Sequence, residues 1–264
     1  MINDACVDGS ARNIVAVRPP PCGAIALVLC VFLGSLVVAR SAGAHETIDT
    51  ERVNAILVAT DAADARLKTA AAGQEAEAAF ALGMTQVEAT AVLNRDLAAH
   101  SGRLTFNAET LQKELAKRSL APDFDEVIGR YRLPTAALQR ALRLAPQASG
   151  ALRARFELLK AGFYESFVID PFQLVGISFD DLDRQIAEAK AVATALPPGD
   201  DAEEAGFIRA IDLARAARLA RDAEAVRRYS SQARTALGAF AEAYPQSMRA
   251  ASAVVILKSL GGAE

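Results

Sequence analysis

Residues that commonly carry catalysis or bind metals are sparse in this sequence. Its 264 residues contain two histidines, His45 and His100, which lie too far apart in sequence to indicate one site. His45, as the expected first residue of a processed chain, would place an α-amino group beside an imidazole, a pair that can chelate copper. Processing creates such ends by chance, and His100 stands at a predicted helix end, where the dipole favours its charge. We predict no metal site and no cofactor.

Three groups of neighbouring carboxylates could do acid–base chemistry, for example on a glycan. They are Asp123, Asp125 and Glu126; Asp180, Asp181 and Asp183; and Asp200, Asp201, Glu203 and Glu204. Each group stands at a predicted helix N-terminus, where negative charge is stabilised by the dipole. We therefore interpret these carboxylates as structural, with a carboxylate-based glycan hydrolase of the cell envelope as the alternative.

Recognisable catalytic motifs do not occur in the sequence. It has no Gly-rich phosphate loop, no serine nucleophile elbow, no haem-attachment motif and no calcium loop. The three cysteines, Cys6, Cys22 and Cys30, all precede residue 45, so the rest of the chain offers no disulfide or thiolate nucleophile. No catalytic residue is predicted, and a non-enzymatic protein is favoured.

One stretch of the chain is strongly basic. Between Glu126 and Glu157 there is no acidic residue, whereas six arginines occur: Arg130, Arg132, Arg140, Arg143, Arg153 and Arg155. Guanidinium groups suit carboxylate and phosphate ligands, so this stretch is a candidate surface for an acidic partner. The alternative is that these arginines disperse around a hairpin, or pair with carboxylates such as Asp180 and Asp181.

Six of the fifteen aromatic residues fall within 24 positions. They are Phe156, Phe163, Tyr164, Phe167, Phe172 and Phe179. Such a cluster could line a hydrophobic groove for a peptide or lipid, or it could fill a bend between two helices.

The hydrophobic pattern predicts an all-α fold. Apolar residues recur every three or four positions, alanine is abundant, and the prolines after residue 45 fall between the periodic stretches. We expect two long helices around 53–71 and 80–98, and a helix capped by Asn107. Pro122 and Asp123 are expected to open a short turn with Phe124, Val127, Ile128 and Tyr131 on one face. From Leu152 a helix is expected to run to Asp170-Pro171, and later helices to be capped by Ser178 and Asp222.

The first 44 residues have the pattern of a cleavable export signal. An apolar run from Ala24 to Ala39 is short for a membrane span, follows two arginines and precedes Ala42-Gly43-Ala44. We predict cleavage before His45, with an uncleaved N-terminal anchor as the alternative. The expected organisation is a signal peptide at 1–44, a helical hairpin region at 45–121 and a repeat-like helical region at 122–264.

Residues 134–260 resemble the tetratricopeptide-repeat family. The segments 141–146 (ALRLAP) and 240–245 (FAEAYP) are similar to the alanine-then-proline ending of such repeats. The resemblance implies stacked helical hairpins with a concave binding face. A strict 34-residue period and the aromatic-leucine-glycine pattern of the first helix are both missing, so an irregular helical bundle is the alternative.

Together these features predict an exported, non-enzymatic helical scaffold that binds another protein in the bacterial periplasm. The formal net charge of −3 gives no general attraction to nucleic acid, and no membrane span is expected after cleavage. The expected partner is a cell-envelope protein, with acidic groups if the arginines bind it.

Overall fold

The computed structural model describes residues 48–167 and 176–261. In these two ranges the chain forms nine α-helices and one short hairpin, so the all-α prediction is confirmed. The helices are α1 (Thr50–Thr69), α2 (Glu75–Ala99), α3 (Phe106–Lys117), α4 (Ala136–Leu144), α5 (Ala151–Tyr164), α6 (Phe179–Ala195), α7 (Asp200–Leu219), α8 (Ala223–Ala243) and α9 (Met248–Gly261). The hairpin pairs β1 (Phe124–Asp125) antiparallel with β2 (Arg130–Tyr131).

Several helices begin where a polar side chain satisfies the free backbone N–H groups of the first turn. The Ser178 hydroxyl accepts a hydrogen bond from the Asp181 amide at the start of α6, and Asp181 bonds back to Ser178, so the predicted capping box is confirmed. Asp222 caps α8 as predicted, by accepting from Ala225 N at 2.7 Å. Asp49 caps α1 in the same way.

The N-terminal half has its own apolar cluster between α1, α2 and α3. Its most deeply buried large side chains are Ile56, Leu93, Leu111 and Leu115. Next to it, α4 crosses α2 very closely at Gly83, where an added Cβ would stand 2.4 Å from the Leu138 Cδ2. Only glycine therefore permits this approach of the two helices.

A larger apolar cluster joins α5 to α9 in the C-terminal half. It centres on α7, whose residues Ile208, Ile211 and Ala214 are fully buried, and on the rings of Phe156 and Phe207. Because α7 is covered by α5, α6, α8 and α9, twelve of its twenty residues are buried.

Three details of the sequence prediction differ from the structure. Residues 124–131 form a β-hairpin, and not a turn with its four apolar residues on one face. Phe124 and Val127 are therefore exposed, while Ile128 and Tyr131 are buried. Helix α5 ends at Tyr164, well before Asp170-Pro171. Helix α3 begins two residues earlier than predicted, because its N-cap is Thr105 and not Asn107. The Asn107 side-chain amide instead donates to the Ile48 carbonyl at 2.9 Å.

The predicted domain boundary at 121/122 and the repeat resemblance stay predictions. Tyr131 and Ala137 pack in clusters with residues that precede that boundary. The alanine-then-proline segments do lie at helix ends, those of α4 and α8. The predicted signal peptide and His45 lie outside the described residues. Among the helices that the structure describes, none has both the length and the apolar character that a membrane span requires.

Candidate binding site

The basic stretch is largely neutralised by ion pairs. Arg132 contacts Asp125 at 2.6 Å, and Arg140 contacts Glu75 at 2.6 Å. Arg155 holds Glu188 through two hydrogen bonds of 2.6 and 2.8 Å. Because the acidic partners come from the hairpin, α2 and α6, these arginines link elements of the fold.

Arg153 is neutralised in the same manner, by Asp201 at 2.6 Å and Glu157 at 2.5 Å. Arg143 is exposed, and no carboxylate in residues 48–167 or 176–261 lies within ion-pair distance of it. A partner-binding role for the six arginines stays a prediction, and it now concerns mainly Arg143 and Arg130.

Arg130 is unusual because its guanidinium is partly buried without an ionic partner among the described residues. Its contacts are a 3.4 Å hydrogen bond from Nη1 to the Tyr164 carbonyl and the Tyr164 ring, whose centroid lies 5.7 Å from Cζ. Burial lowers the pKa of Arg130, whereas the charge of Glu165 raises it. A desolvated guanidinium with one neutral acceptor leaves most of its five N–H donors available to another group.

Arg130 lies in a groove of about 110 Å³ between α2, β2 and α5. The two helices contribute positions spaced by three or four residues, which share one helix face. On α2 these include Val87, Ala91 and Asn94. On α5 they are Glu157, Lys160, Ala161 and Tyr164, followed by Glu165.

Asn94 fixes β2 against α2. Its side-chain amide donates to the Tyr131 carbonyl at 2.8 Å, and its side-chain oxygen accepts from the Tyr131 amide at 2.8 Å. These two hydrogen bonds satisfy the backbone groups on the free edge of β2, which would otherwise need a neighbouring strand. The position of Arg130, one residue earlier, follows from this attachment.

Glu165 fixes the segment that follows β2. Its Oε1 accepts from the Leu133 amide at 2.7 Å. Burial raises the pKa of Glu165, against the lowering effects of that hydrogen bond and of Arg132 and Arg130. Ionisation of Glu165, which lies near Arg130, is therefore less favourable here than in water.

Glu157, one of the two carboxylates that line the groove, already has basic partners. Glu157 is almost fully buried and lies 3.0 Å from Lys160 Nζ, in addition to its contact with Arg153. Lys160 also lies over the Phe156 ring, with Nζ 4.9 Å from the centroid. Since Glu157 has two basic partners, it does not compete for Arg130.

Tyr164 forms a rigid wall of the groove. Its hydroxyl donates to Glu204 Oε1 at 2.7 Å, and Glu204 lies 3.5 Å from Arg249. Burial, together with the charge of Glu204, raises the pKa of the Tyr164 hydroxyl. The ring under Arg130 is thereby tied to α7 and α9.

The rest of the aromatic cluster contributes to the core. Phe156, Phe163 and Phe167 are buried, and the Phe163 ring makes edge contacts with Tyr164 and Phe167 at 5.0 and 5.5 Å. Phe179 is partly buried against Tyr229. Phe172 lies outside the described residues. Ligand binding along this cluster stays a prediction, and among its five described members only Tyr164 lines the groove.

Several members of the acidic groups are bonded to other parts of the fold: Asp183 to Tyr229, Asp201 to Arg153 and Glu204 to Tyr164. Asp181 and Asp201 stand in first turns of α6 and α7, as expected. Asp125 does not precede a helix: its Oδ1 accepts from the Val127 and Ile128 amides and shapes the turn of the hairpin. Backbone hydrogen bonding from Ile128 is the main cause that lowers the pKa of Asp125.

His100 is the C-cap of α2, and its Nδ1 lies 2.9 Å from the Asp96 carbonyl oxygen. Asp96 also accepts from the Thr105 amide and hydroxyl, at 2.7 and 2.9 Å, so the pair closes the α2–α3 connection. Across the part of the chain that the structure describes, no group of three metal-ligating side chains occurs.

A buried polar cluster in the C-terminal half was not expected from the sequence. Asp212 and Arg215 are fully buried, with Arg215 Nη1 2.7 Å from Asp212 Oδ1 and 3.3 Å from Ser166 Oγ. The Gln185 amide donates to Asp212 Oδ2 at 2.8 Å. The guanidinium lies over the rings of Phe163 and Phe167, at 4.3 and 4.9 Å from their centroids. The available signal was an i, i+3 acid–base pair whose sequence neighbours Ile211, Leu213, Ala214 and Ala216 are apolar.

No protein-family model, curated protein or solved structure matches this chain.

Proposed function

We propose that this protein is an exported helical scaffold that binds another protein in the bacterial cell envelope, and that the hairpin and its groove form the contact surface. The observation that carries the proposal is the exposure of two apolar side chains on the hairpin, next to the partly buried Arg130. Phe124 is 47% exposed and Val127 is 63% exposed. Aromatic residues and arginine are enriched at protein interfaces.

The construction of the hairpin supports this role. Its inner side is held by Tyr131, which is buried, and by the two hydrogen bonds of Asn94. Phe124 rests edge-on against the Tyr131 ring, with centroids 5.2 Å apart. The outward residues are thus presented on a short rigid element, which lowers the conformational entropy lost on binding.

The test is affinity capture of the tagged full chain from the cells in which it occurs, with quantification of the co-eluting proteins. A Phe124→Ser/Val127→Ser double variant is expected to retain its partner at least about tenfold less, since two interface anchors of about 1 kcal/mol each are removed. Val58→Ser is the matched control, because Val58 is 68% exposed on α1, away from the hairpin.

Circular dichroism of both variants should match the wild-type spectrum. Equal retention by the wild type and the hairpin variant would contradict the proposal, as would an equal loss in Val58→Ser.

A further inference from the structure

Arg130 provides the most specific feature of the molecule for recognition. Of the six arginines in the basic stretch, four already pair with carboxylates. Arg130 has no carboxylate within ion-pair distance in the described parts of the chain. Its charge is nevertheless partly removed from water. A partly buried charge without an ionic partner is unfavourable, and a ligand carboxylate would relieve that cost.

The size of the groove restricts the ligand. Small-molecule and cofactor sites usually occupy about 300–1,000 Å³. The groove at Arg130 has about 110 Å³, which is room for a single side chain. Its walls also supply the apolar surface of Val87, Ala91 and Ala161, suited to the methylene groups of such a side chain.

We infer that the groove binds a glutamate side chain of the partner protein, with its carboxylate on the guanidinium of Arg130. Charge complementarity is the basis for this choice, because neither carboxylate of the groove occupies the guanidinium. Glu157 is bound by Lys160 and Arg153, and Glu165 accepts from the Leu133 amide and lies beyond ion-pair distance of Arg130. The planar guanidinium offers paired N–H groups that match the two carboxylate oxygens. The inference rests on the proposed function for the identity of the occupant, but its test does not need the partner.

The test is NMR titration of the ¹⁵N-labelled full chain with N-acetyl-glutamate-N-methylamide. The expected result is a saturable shift of the Arg130 Nε–Hε signal and of the Tyr131 and Leu133 amides. The corresponding glutamine compound should give no saturable shift, because it lacks the charge. The response to the glutamate compound should weaken as salt rises past about 0.15 M, where the Debye length is about 8 Å.

Two variants make the result specific. Arg130→Gln should abolish the shifts at Tyr131 and Leu133, while Arg234→Gln, at an exposed arginine of α8, should leave them unchanged. In the capture experiment, Arg130→Gln should reduce retention at least about tenfold, and Arg234→Gln less than twofold.

A saturable response to the glutamine compound, an equal response at Arg234 Nε–Hε, or no response would each overturn the inference. The two proposals fail separately. Binding of the glutamate compound without any captured partner would refute the proposed function alone, whereas capture that depends on Phe124 and Val127 but not on Arg130 would refute only this inference.

Discussion

Replacing Asp212 by alanine is expected to destabilise the protein by about 3–5 kcal/mol, the usual cost of breaking a buried ion pair. The variant removes the Asp212 carboxylate from the fully buried Arg215 guanidinium, and arginine cannot lose its proton in a protein. The Phe163 and Phe167 rings still face that charge, but they replace only part of the lost interaction. Urea denaturation followed by circular dichroism measures the free energy of unfolding.

Glu188→Ala is the matched control for this variant. Glu188 pairs with Arg155 at 2.6 Å, which is close to the distance between Asp212 and Arg215. In the Glu188–Arg155 pair, however, both side chains are more than one third exposed. Exposed pairs contribute little, so we expect a loss below about 1 kcal/mol. Similar losses in Asp212→Ala and Glu188→Ala would show that burial of the pair does not matter.

The reverse variant, Arg215→Met, is expected to depend on pH. Burial raises the pKa of Asp212 to about 6, above its value of about 3.9 in an unfolded chain. The folded state therefore holds this proton more tightly, so the contribution of Asp212 to stability falls as pH rises from about 4 to 6. Arg215 opposes this shift, and its removal extends the unfavourable range to higher pH.

Arg215→Met should therefore be more destabilised, relative to the wild type, at pH 8 than at pH 5. We expect a difference of at least about 1.4 kcal/mol, the equivalent of one pKa unit. The Asp212→Ala/Arg215→Met double variant removes both charges and should recover part of the loss. A pH-independent loss in Arg215→Met would contradict the assignment of a titrating Asp212.

Asn94→Ala is expected to release the hairpin from α2 and to reduce partner retention with it. The change leaves the Tyr131 amide and carbonyl without their side-chain partner, at about 1–3 kcal/mol for each group that stays buried. Amide exchange is the direct measurement. The Arg132 amide, which donates to the Asp123 carbonyl across the hairpin at 2.8 Å, should lose protection at least about tenfold.

Amides in the middle of α8 are the internal control for that variant, because α8 packs on α7 and α9 in the other half of the molecule. Their protection should stay unchanged. Uniform loss of protection throughout the chain would indicate global destabilisation, and unchanged protection at Arg132 would show that Asn94 does not hold the hairpin.

Helices were the part of the fold that periodicity could predict, because a helix depends on local apolar spacing and on caps such as Ser178 and Asp222. The hairpin was missed for a physical reason. Each strand has two residues, too few for an alternating pattern. The free edge of β2 pairs with the side chain of Asn94, which is 37 residues away in sequence. A long-range contact of this kind leaves no local periodicity.

The candidate site was only partly predictable for a related reason. Counting charge identifies the stretch that contains Arg130, but it does not show which arginines meet carboxylates from distant elements. Glu75 reaches Arg140 from 65 positions away, and Asp201 reaches Arg153 from 48. The groove itself needs α2 and α5 side by side, and neither helix contains a sequence signal for that neighbour.

The most direct test of the central claim is photo-crosslinking in living cells from a benzoylphenylalanine placed at Val127, compared with one placed at Gln232, an exposed position on α8. We expect one protein adduct of defined mass from position 127, none from position 232, and loss of the 127 adduct when Arg130→Gln is added. An adduct from position 232 without one from position 127 would contradict the assignment of the hairpin and its groove as the binding surface.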